Sequence, residues 1–266
     1  MALPRSQAAA REGGRVSGER GALLVTGASR GIGAATARLA AERGYAVCVN
    51  YRSNREAADA VVAAIRAGGA RAVAIAGNVA READVLRLFE SCEAELGPLA
   101  ALVNNAGILE RHMRVDEMGA ERLERIFATN VVGSFLCARE AVRRMSTRHG
   151  GKGGGIVNVS SVAAVLGSPN EYVDYAASKA AIDTLTIGLA REVATEGIRV
   201  NAVRPGVIYT EIHASGGEPG RVDRVKSAVP MQRGGEPEEV ARAILWLLSE
   251  ESTYCTGAIV DVSGGR

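Results

Sequence analysis

Apolar and polar residues follow a regular alternation along the chain from Ala22 onward. Short, almost continuously apolar runs rich in β-branched residues are separated by longer, alanine-rich amphipathic stretches. The short runs are typical of strands covered on both faces, and the longer stretches are typical of helices. The pattern predicts seven strands, at Ala22–Thr26, Ala46–Asn50, Ala72–Ala76, Ala101–Asn104, Ile156–Ser160, Arg199–Val203 and Ala258–Asp261. The helices predicted between them are Ile32–Arg43, Asn54–Ala67, Glu82–Leu96, Glu121–Met145, Tyr175–Glu196 and Pro237–Ser249.

Strands that alternate with helices in this way predict an α/β fold. We expect a single doubly wound, Rossmann-like domain over residues 21–266, with a seven-stranded parallel sheet flanked by helices. No internal repeat or second domain is visible in the 266 residues. Residues 1–20 mix Ala, Gly, Arg, Ser and Glu without hydrophobic periodicity. They cannot bury enough apolar surface to offset the entropy of ordering, so we expect them to form a flexible N-terminal tail.

Two stretches rich in Gly or Pro interrupt the alternation. His149–Gly155 predicts a surface hairpin or turn. Glu211–Arg233 is long for a connection between a strand and a helix, and loops of that length in a compact domain are often functional. We therefore expect the second stretch to form a lid.

Charge and cysteine content narrow the function classes. A formal net charge of +2 creates no basic field that would favour nucleic acid or an anionic membrane as a partner, so a small-molecule substrate fits better. No apolar run approaches the length of a membrane span, and the N-terminus lacks the apolar stretch of a signal peptide, which predicts a soluble, cytoplasmic protein. Metal and disulfide frameworks are not expected, because no CxxC or His-rich spacing occurs around Cys48, Cys92, Cys137 and Cys255.

A glycine-rich turn follows the first predicted strand, in the segment Thr26–Gly33. Gly27, Gly31 and Gly33 bracket the start of a helix, where glycine lets the backbone approach a pyrophosphate and the free N–H groups of the helix stabilise its charge. The spacing is GxxxGxG, which differs from the general GxGxxG dinucleotide fingerprint. An ordinary glycine-rich turn is the alternative for this motif taken alone.

Two further turns are expected at the same edge of the sheet. Asn104–Gly107 ends the fourth predicted strand, and Pro205–Thr210 ends the sixth. Ligands of doubly wound sheets bind at the carboxyl ends of the strands. The three turns therefore predict one shared binding site.

Tyr175 and Lys179 lie four residues apart and therefore share one face of a predicted helix. A phenol with its ordinary pKa is a poor base, but an ammonium about 4 Å away stabilises the phenolate by about 4 kcal/mol at an effective dielectric constant of about 20. We therefore expect Lys179 to lower the pKa of Tyr175. Such a pair also arises by chance on many helices, but none of the other five tyrosines has a lysine four residues later.

Three more polar residues are candidates for the same site. Ser160 and Ser161 follow the fifth strand, where a hydroxyl can stabilise negative charge developing on a substrate oxygen. Asn130 lies within a predicted helix, although Asn is a mediocre helix former. A buried structural amide is the alternative interpretation of Asn130, and core packing is the alternative for Ser160.

These motifs, in the order TGxxxGIG, NNAG, Ser followed by YxxxK, and PGxxxT, resemble the short-chain dehydrogenase/reductase family from about Gly21 to Arg266. The resemblance implies an oxidoreductase with the catalytic tetrad Asn130, Ser161, Tyr175 and Lys179. It favours Ser161 over Ser160, although the interval to Tyr175 is one residue longer than the commonest family spacing. It also implies that Lys179 anchors the nicotinamide ribose and that Asn130 holds a water beside it.

The resemblance further implies cofactor contacts from the strand ends. The adenine motif of the family often begins with Asp, whereas this chain has Asn78, a departure that should not prevent binding. Besides Tyr175 and Lys179, the implied cofactor residues are Gly27, Ser29, Arg30, Gly31, Ile32, Gly33, Asn78, Val79, Asn105, Ala106, Gly107, Pro205, Gly206, Ile208 and Thr210.

The end of the second strand predicts a preference for NADP. Enzymes that select NAD usually place an acid about 20 residues beyond the glycine turn, where it binds the adenosine ribose and repels a 2′-phosphate. The stretch Val49–Asn54 contains no acid, and Arg52 offers the phosphate a planar charged fork, with Arg30 approaching from the other side. An Arg52 that points into solvent is the alternative. The candidate residues here are Asn50, Tyr51, Arg52 and Ser53.

The substrate is the least determined part of the prediction. We expect a small polar alcohol or carbonyl, sugars and polyols included, and by family resemblance a homotetramer. A 3-oxoacyl group on a carrier protein is the alternative substrate. It would use a basic surface from Arg139, Arg143, Arg144 and Arg148, but a solvated helix face is the favoured interpretation of these arginines. Glu196 stands where acyl-carrier reductases often have a basic residue.

The same fold is also compatible with a catalytically silent nucleotide sensor or scaffold, and with an epimerase or dehydratase.

Overall fold

The structure is a computed structural model that describes residues 20–266. The tail predicted over residues 1–20 therefore lies outside the described residues, apart from its last residue. Arg20 donates its backbone N–H to Gly44 O and places its guanidinium over the Tyr45 ring.

Seven parallel strands form one sheet in the order β3-β2-β1-β4-β5-β6-β7. Both faces of the sheet are covered, which explains why the strand sequences are almost continuously apolar. The predicted fold class is confirmed. The strands are β1 (Ala22–Val25), β2 (Ala46–Tyr51), β3 (Ala72–Ala76), β4 (Leu99–Asn104), β5 (Gly154–Val159), β6 (Ile198–Pro205) and β7 (Ile259–Val262).

Helices pack on both faces of the sheet. Alternate side chains of β1 enter opposite cores, with Leu23 and Val25 on one face and Ala22 and Leu24 on the other. The helices are α1 (Gly31–Glu42), α2 (Arg55–Ala67), α3 (Glu82–Leu96), α4 (Ala120–Phe127), α5 (Gly133–Met145), α6 (Ala163–Leu166), α7 (Val173–Val193), α8 (Ile212–Ser215), α9 (Arg221–Val225) and α10 (Pro237–Leu247). The first core also contains residues of α1, α2 and α10, and the second contains residues of α3, α5 and α7.

The strand order reverses between β1 and β4, and this reversal creates the site. The chain continues from β1 to β2 and β3 on one side, and from β4 to β7 on the other. The connections leaving β1 and β4 diverge there, so a crevice opens beyond their carboxyl ends. All three predicted ligand-binding turns lie at this end of the sheet.

A buried chain of polar side chains fixes α7 against the centre of the sheet. Asn158 on β5 accepts a hydrogen bond from Asn104 Nδ2 (3.0 Å) and donates one to Thr186 Oγ1 on α7 (2.8 Å). Asn104 also donates to Ser134 O on α5 (3.2 Å). Since unpaired buried amides are costly, this chain specifies how α5 and α7 sit on β4 and β5.

The element boundaries differ from the prediction in a few places. The helix predicted over Glu121–Met145 is not a single α-helix, because a π-helical turn at Ala128–Val132 separates α4 from α5. Hydrophobic periodicity does not readily reveal such a turn, since a single extra residue shifts the pattern by one position, which is within its ordinary irregularity. The remaining strand and helix ends shift by up to three residues.

The two irregular stretches also contain more local structure than the pattern indicates. The first includes the end of a short 3-10 turn, Thr147–His149, and β5 already begins at Gly154. The second, Glu211–Arg233, contains the two short helices α8 and α9 and lies over the carboxyl end of the sheet.

Within residues 20–266, no helix has the length and apolarity needed to cross a membrane.

Candidate active site

A cleft of about 920 Å³ opens at the carboxyl ends of the strands. It is continuous from the glycine turn to Tyr175 and Lys179, and the lid helix α8 contributes to its wall. Every residue that the sequence predicted for the site lines this cleft, apart from Gly33 and Asn130, which lie behind the wall. The fold thus brings together residues that are separated by up to 183 positions in the sequence, from Gly27 to Thr210.

The turn after β1 and the turn after β4 are bonded to each other. Asn105 Nδ2 donates to Thr26 O (2.8 Å) and Gly27 O (3.0 Å). Thr26 Oγ1 accepts from the backbone N–H groups of Asn105 and Ala106, both at 3.0 Å. These bonds fix the glycine turn to the neighbouring strand end, so Asn105 supports the cofactor site through the protein backbone.

Glycine is required in this turn for two geometric reasons. Gly27 and Gly31 have φ values of +62° and +53°, which favour glycine. A Cβ on Gly33 would lie 2.5 Å from Asn105 Nδ2 and 2.8 Å from Gly27 O. The start of α1 can therefore pack against the turn only if residue 33 has no side chain.

The N-terminus of α1 suits the phosphates of a dinucleotide. Arg30 at its N-cap makes no side-chain cap hydrogen bond, and the first turn contains no acidic residue. The first N–H groups of the helix are therefore available to an anion at the cleft wall. Together with the close glycine packing, this arrangement fits a dinucleotide pyrophosphate.

The predicted residues at the end of β2 divide into structural and exposed positions. Asn50 is buried; its Oδ1 accepts from Gly27 N (3.2 Å), and its Nδ2 donates to Gly77 O (3.1 Å). Arg52 and Ser53 are exposed on the cleft wall. Asn50 therefore holds the surrounding backbone, while Arg52 is placed to meet a ligand.

Arg30 and Asn78 also have protein partners. The Arg30 guanidinium donates to Ser215 Oγ at 3.3 Å, so it reaches toward the lid helix α8. Asn78 Oδ1 accepts from Ala80 N at 3.1 Å, which forms a tight turn after β3. Val79 in that turn is buried and packs against Gly133 at the start of α5.

The two candidate serines have clearly different surroundings. Ser160 is buried, and its hydroxyl donates to Lys179 O at 3.0 Å, as expected for core packing. Ser161 lies on the cleft wall, and its hydroxyl is near enough to the phenol to lower the pKa of Tyr175. The structure therefore places Ser161, and not Ser160, beside the phenol.

Lys179 is buried behind Tyr175. Its ammonium lies 5.6 Å from the centre of the Tyr175 ring and donates to Val159 O at 2.7 Å. Both side chains extend from the first turns of α7, so the four-residue spacing places them on one face as predicted.

Asn130 lies in the π-helical turn, immediately behind Lys179. Its Oδ1 accepts from Ile108 N (2.8 Å), and its Nδ2 donates to Ile108 O (3.1 Å) and Ser178 Oγ (3.0 Å). A Cβ on Gly107 would lie 3.4 Å from Lys179 Nζ and 3.5 Å from Asn130 Oδ1. The amide is thus a satisfied structural group that also stands next to the lysine, and π-helical turns often occur at functional sites.

The expected effect of Lys179 on Tyr175 is not found in this structure. Burial raises the pKa of Tyr175 to about 12, against the opposing hydrogen bond from Ser161. Burial likewise lowers the pKa of Lys179 to about 8, although the charge of Asp183 opposes this. The expectation was wrong in direction here because burial of the phenol dominates its pKa.

A cluster that the sequence analysis missed lies at the substrate end of the cleft. This lid cluster consists of His112, Glu171, Tyr172, Glu218 and Arg221. Arg221 Nη2 lies 2.6 Å from Glu171 Oε2, and its Nη1 lies 3.5 Å from Glu218 Oε2. His112 Nε2 lies 2.9 Å from the Tyr172 hydroxyl and 3.3 Å from Glu218 Oε2. The cluster joins the segment after β4, the segment before α7, and the lid.

The lid cluster reaches Tyr175 through Tyr172. The Arg221 guanidinium stacks over the Tyr172 ring at 4.8 Å, and the Tyr172 and Tyr175 ring centres are 6.3 Å apart. Burial opposes ionisation of Glu171, but the bond and charge of Arg221, with smaller contributions from His112 and Arg224, together hold the pKa of the carboxyl below its usual value. Because its partners lie in distant segments, no local sequence signal could have revealed this cluster.

The arginines at the end of α5 are paired with acids. Arg144 contacts Glu93 (3.0 Å) and Glu140 (2.6 Å), and Arg143 contacts Glu140 (2.9 Å). Arg139 contacts Glu82 and Glu140, and the more exposed Arg148 lies 3.9 Å from Glu196. This arrangement corresponds to the solvated, ion-paired helix face, since most of the positive charge is already neutralised.

Comparison with known families agrees with this geometry. A family model described as "Enoyl-(Acyl carrier protein) reductase" matches residues 27–266. With the doubly wound sheet and the cleft residues, this match shows that the chain belongs to the short-chain dehydrogenase/reductase family of oxidoreductases. The predicted family is thus confirmed. Its members use NAD(P)H, which fits the glycine cradle described above.

Similar proteins include uncharacterized and named reductases. The chain is 60% identical over 243 residues to the uncharacterized oxidoreductase YgfF of Escherichia coli (strain K12), covering 91% of this chain and 98% of that protein. It is 36% identical to the 3-oxoacyl-[acyl-carrier-protein] reductase FabG of Staphylococcus epidermidis (strain ATCC 12228 / FDA PCI 1200), covering 91% of this chain and 97% of that protein.

Solved structures show the same fold. The 3-ketoacyl-(acyl-carrier-protein) reductase of Brucella melitensis, complexed with NADH, matches with a TM-score of 0.86 and 30% identity over 95% of this chain and 99% of that one. A short-chain dehydrogenase/reductase from Serratia marcescens matches with a TM-score of 0.85 and 32% identity over 94% and 98% of the two chains.

The packing of Gly33 generates a stability prediction. Gly33→Ala should lower the free energy of unfolding by about 1–3 kcal/mol, because the new Cβ must displace Asn105 or the glycine turn. Gly188→Ala, in α7 with nothing within 4 Å of the added Cβ, is the matched control and should be neutral or stabilise by up to about 1 kcal/mol. Urea unfolding measures both changes. An unchanged stability of Gly33→Ala would contradict the close packing.

Proposed function

We propose that the protein is an NADP-dependent oxidoreductase that interconverts a small polar carbonyl compound and the corresponding alcohol. The observation that carries the proposal is that Ser161, Tyr175 and Lys179 stand together on the wall of a cleft that continues to the glycine turn at Gly27. This arrangement supplies a proton donor and a second hydroxyl beside a dinucleotide cradle.

The roles of the residues follow from their positions. The bound nicotinamide supplies the hydride. Tyr175 donates its phenolic proton to the carbonyl oxygen, and it takes the proton back when the alcohol is oxidised. Ser161 donates a hydrogen bond to the same oxygen, which stabilises the negative charge that develops there.

Lys179 and Asn130 support Tyr175 from behind. With a pKa of about 8, Lys179 is mostly protonated at neutral pH, so its charge stabilises the phenolate left after proton donation. We assign Lys179 a second role in anchoring the nicotinamide ribose, because it too lines the cleft. Asn130, adjacent to the ammonium, is proposed to hold the water through which the proton is replaced.

The substrate end of the cleft favours a polar molecule. The lid cluster places Glu171, Tyr172 and Arg221 on its wall, together with His213 of α8. Arg221 is already neutralised by two carboxylates, so the wall presents hydrogen-bonding groups and little free charge. These hydrogen-bonding groups lie beside apolar side chains such as Leu109, Val162 and Leu166, and we propose that they select a small hydroxylated substrate.

Reduction of a 3-oxoacyl thioester on a carrier protein is the second candidate function. It is favoured by the similarity to the reductases of Staphylococcus epidermidis and Brucella melitensis. The paired arginines of α5 and the acid at Glu196, which accepts a hydrogen bond from Ser146, argue against a basic surface for an acidic carrier protein there. A catalytically silent sensor is disfavoured because Ser161, Tyr175 and Lys179 are assembled on the cleft wall.

Turnover of defined carbonyl compounds tests the proposal. Glyceraldehyde and a small ketose should be reduced, as followed by loss of NADPH absorbance, with a higher kcat/KM than acetoacetyl-CoA. Tyr175→Phe should lower kcat by at least about 100-fold, the size of one general-acid contribution, while the NADPH Kd stays nearly unchanged because the ring still packs.

The contrary results discriminate between the candidate functions. A higher kcat/KM for acetoacetyl-CoA would favour the acyl-carrier function. Substantial turnover by Tyr175→Phe would exclude Tyr175 as the proton donor, and NADPH binding without turnover of any carbonyl compound would favour the silent sensor.

NADP preference is proposed on the exposed position of Arg52 at the end of β2. Arg81 borders an adjoining pocket next to Arg52, together with the ion pair between Arg87 and Asp84 (2.9 Å), so the lining of that pocket keeps a net positive charge. Arg30 is directed toward Ser215, so we assign the main contact with the 2′-phosphate to Arg52.

Arg52→Ala should reduce kcat/KM for NADPH by about 10- to 100-fold and leave kcat/KM for NADH nearly unchanged. This is the effect of losing one charge-assisted hydrogen bond of about 1.5–3 kcal/mol. Arg43→Ala, an exposed arginine at the far end of α1, is the charge-matched control and should change neither value. Equal wild-type kcat/KM for the two cofactors would contradict NADP preference.

A homotetramer is proposed on the apolar surface of the helices after β4 and β5. Phe127, Val132 and Phe135 are exposed on the α4 to α5 segment, and Ile187 is exposed on α7. Exposed apolar residues that cluster on neighbouring helices are typical of subunit interfaces.

Light scattering should give four times the chain mass of 27.6 kDa. Phe135→Lys should shift the protein toward smaller species, because a charge would be buried at the interface. Tyr254→Lys, at a fully exposed aromatic position away from the cleft, is the matched control and should leave the mass unchanged. A stable wild-type monomer at micromolar concentration would refute the tetramer.

A further inference from the structure

A buried ion pair lies directly beside Tyr175. Arg122 on α4 and Asp174 in the first turn of α7 have side chains that are 6% and 0% exposed. Arg122 Nε donates to Asp174 Oδ2 at 2.7 Å, and Arg122 Nη2 donates to Asp174 Oδ1 at 3.3 Å. Two parallel bonds of this kind fix both the distance and the orientation of the carboxylate.

The pair also holds the backbone on both sides. Asp174 Oδ1 accepts from the backbone N–H of Tyr175 at 2.9 Å. Arg122 Nη1 donates to Arg111 O, in the segment after β4, at 2.7 Å. A continuous set of hydrogen bonds therefore runs from the segment after β4, through α4, to the backbone of Tyr175.

The start of α7 has no comparable support from its N-cap. Tyr172 at that position makes no side-chain cap hydrogen bond. A simple serine or aspartate cap would satisfy the helix start without a buried arginine, and a buried ion pair gives little net stability after desolvation. Neither helix capping nor a gain in stability therefore accounts for the bidentate bonds from Arg122 to Asp174.

We infer that Arg122 is a positioning residue for catalysis: by holding Asp174, it fixes the backbone of Tyr175 and so the place of the phenol relative to Ser161. The inference rests on the proposed function, in which Tyr175 donates the proton. Rate is sensitive to such placement, since an error of about 1 Å in a reacting group can cost about 100-fold. Lys179, one turn further along α7, is held separately by Val159 O.

A double variant separates positioning from stability. Arg122→Met alone leaves the Asp174 carboxylate buried without its partner and should markedly lower the unfolding temperature. Arg122→Met combined with Asp174→Ala removes both charges and should recover most of that loss. The double variant should nevertheless show a kcat at least about tenfold below wild type, because Tyr175 N has lost its acceptor, with an NADPH Kd within about twofold.

The control pair is Arg125→Met with Glu110→Ala. Arg125 is on the same helix, and its bond to Glu110 (2.9 Å) joins the same two segments without reaching α7. This double variant removes the same charges and should keep the wild-type kcat. All assays use glyceraldehyde or acetoacetyl-CoA, whichever the wild type reduces with the higher kcat/KM.

The outcomes distinguish the inference from the proposed function. A folded Arg122/Asp174 double variant with wild-type kcat would overturn the positioning role, whereas an active Tyr175→Phe would overturn the proposed function itself.

If the double variant does not fold, Arg122→Lys decides. It keeps the charge but loses the fork, so kcat should fall about three- to tenfold with an NADPH Kd within about twofold, while Arg125→Lys has no effect on kcat. Equal kcat in Arg122→Lys and wild type would then overturn the inference.

Discussion

The hydrogen bonds from Asn105 to the backbone of Thr26 and Gly27 hold together the two turns between which the cleft opens. They connect the ends of β1 and β4, the neighbouring strands at which the chain direction across the sheet reverses. The Asn105 amide occupies the space beside Gly33, so α1 begins in close contact with this amide. The first N–H groups of α1 then lie toward the cleft. This one junction therefore fixes the glycine turn and the turn after β4 relative to each other.

Much of the fold could be predicted because its signals are local. The apolar runs of β1 to β7 and the glycines of the first turn can each be recognised within a few residues of sequence. Parallel strands then place their carboxyl ends at one edge of the sheet. The spacing of Tyr175 and Lys179 needs only helical geometry. For Ser160 and Ser161, the residues alone left the choice open; it depended on family resemblance, and their orientation becomes visible only in the folded chain.

Several features escaped prediction because their partners are far apart in sequence. Arg122 and Asp174 are separated by 52 positions, and His112 and Tyr172 of the lid cluster are separated by 60. The pKa of Tyr175 depends on burial, which spacing does not reveal, so the simple attraction to Lys179 predicted the wrong direction. The π-helical turn around Asn130 is likewise invisible to a periodic pattern.

The contrast between Asn50 and Arg52 bears on how this family of proteins can change. Asn50 is bound into the backbone of three neighbouring strand ends, so its replacement would disturb the architecture. Arg52, two residues later, is exposed and lies on the same wall. On the role proposed for Arg52, selection acting on cofactor choice can exchange the second residue while the first is retained. On that proposal, a protein of this fold can change its preferred cofactor in either direction while the backbone contacts of Asn50 stay intact.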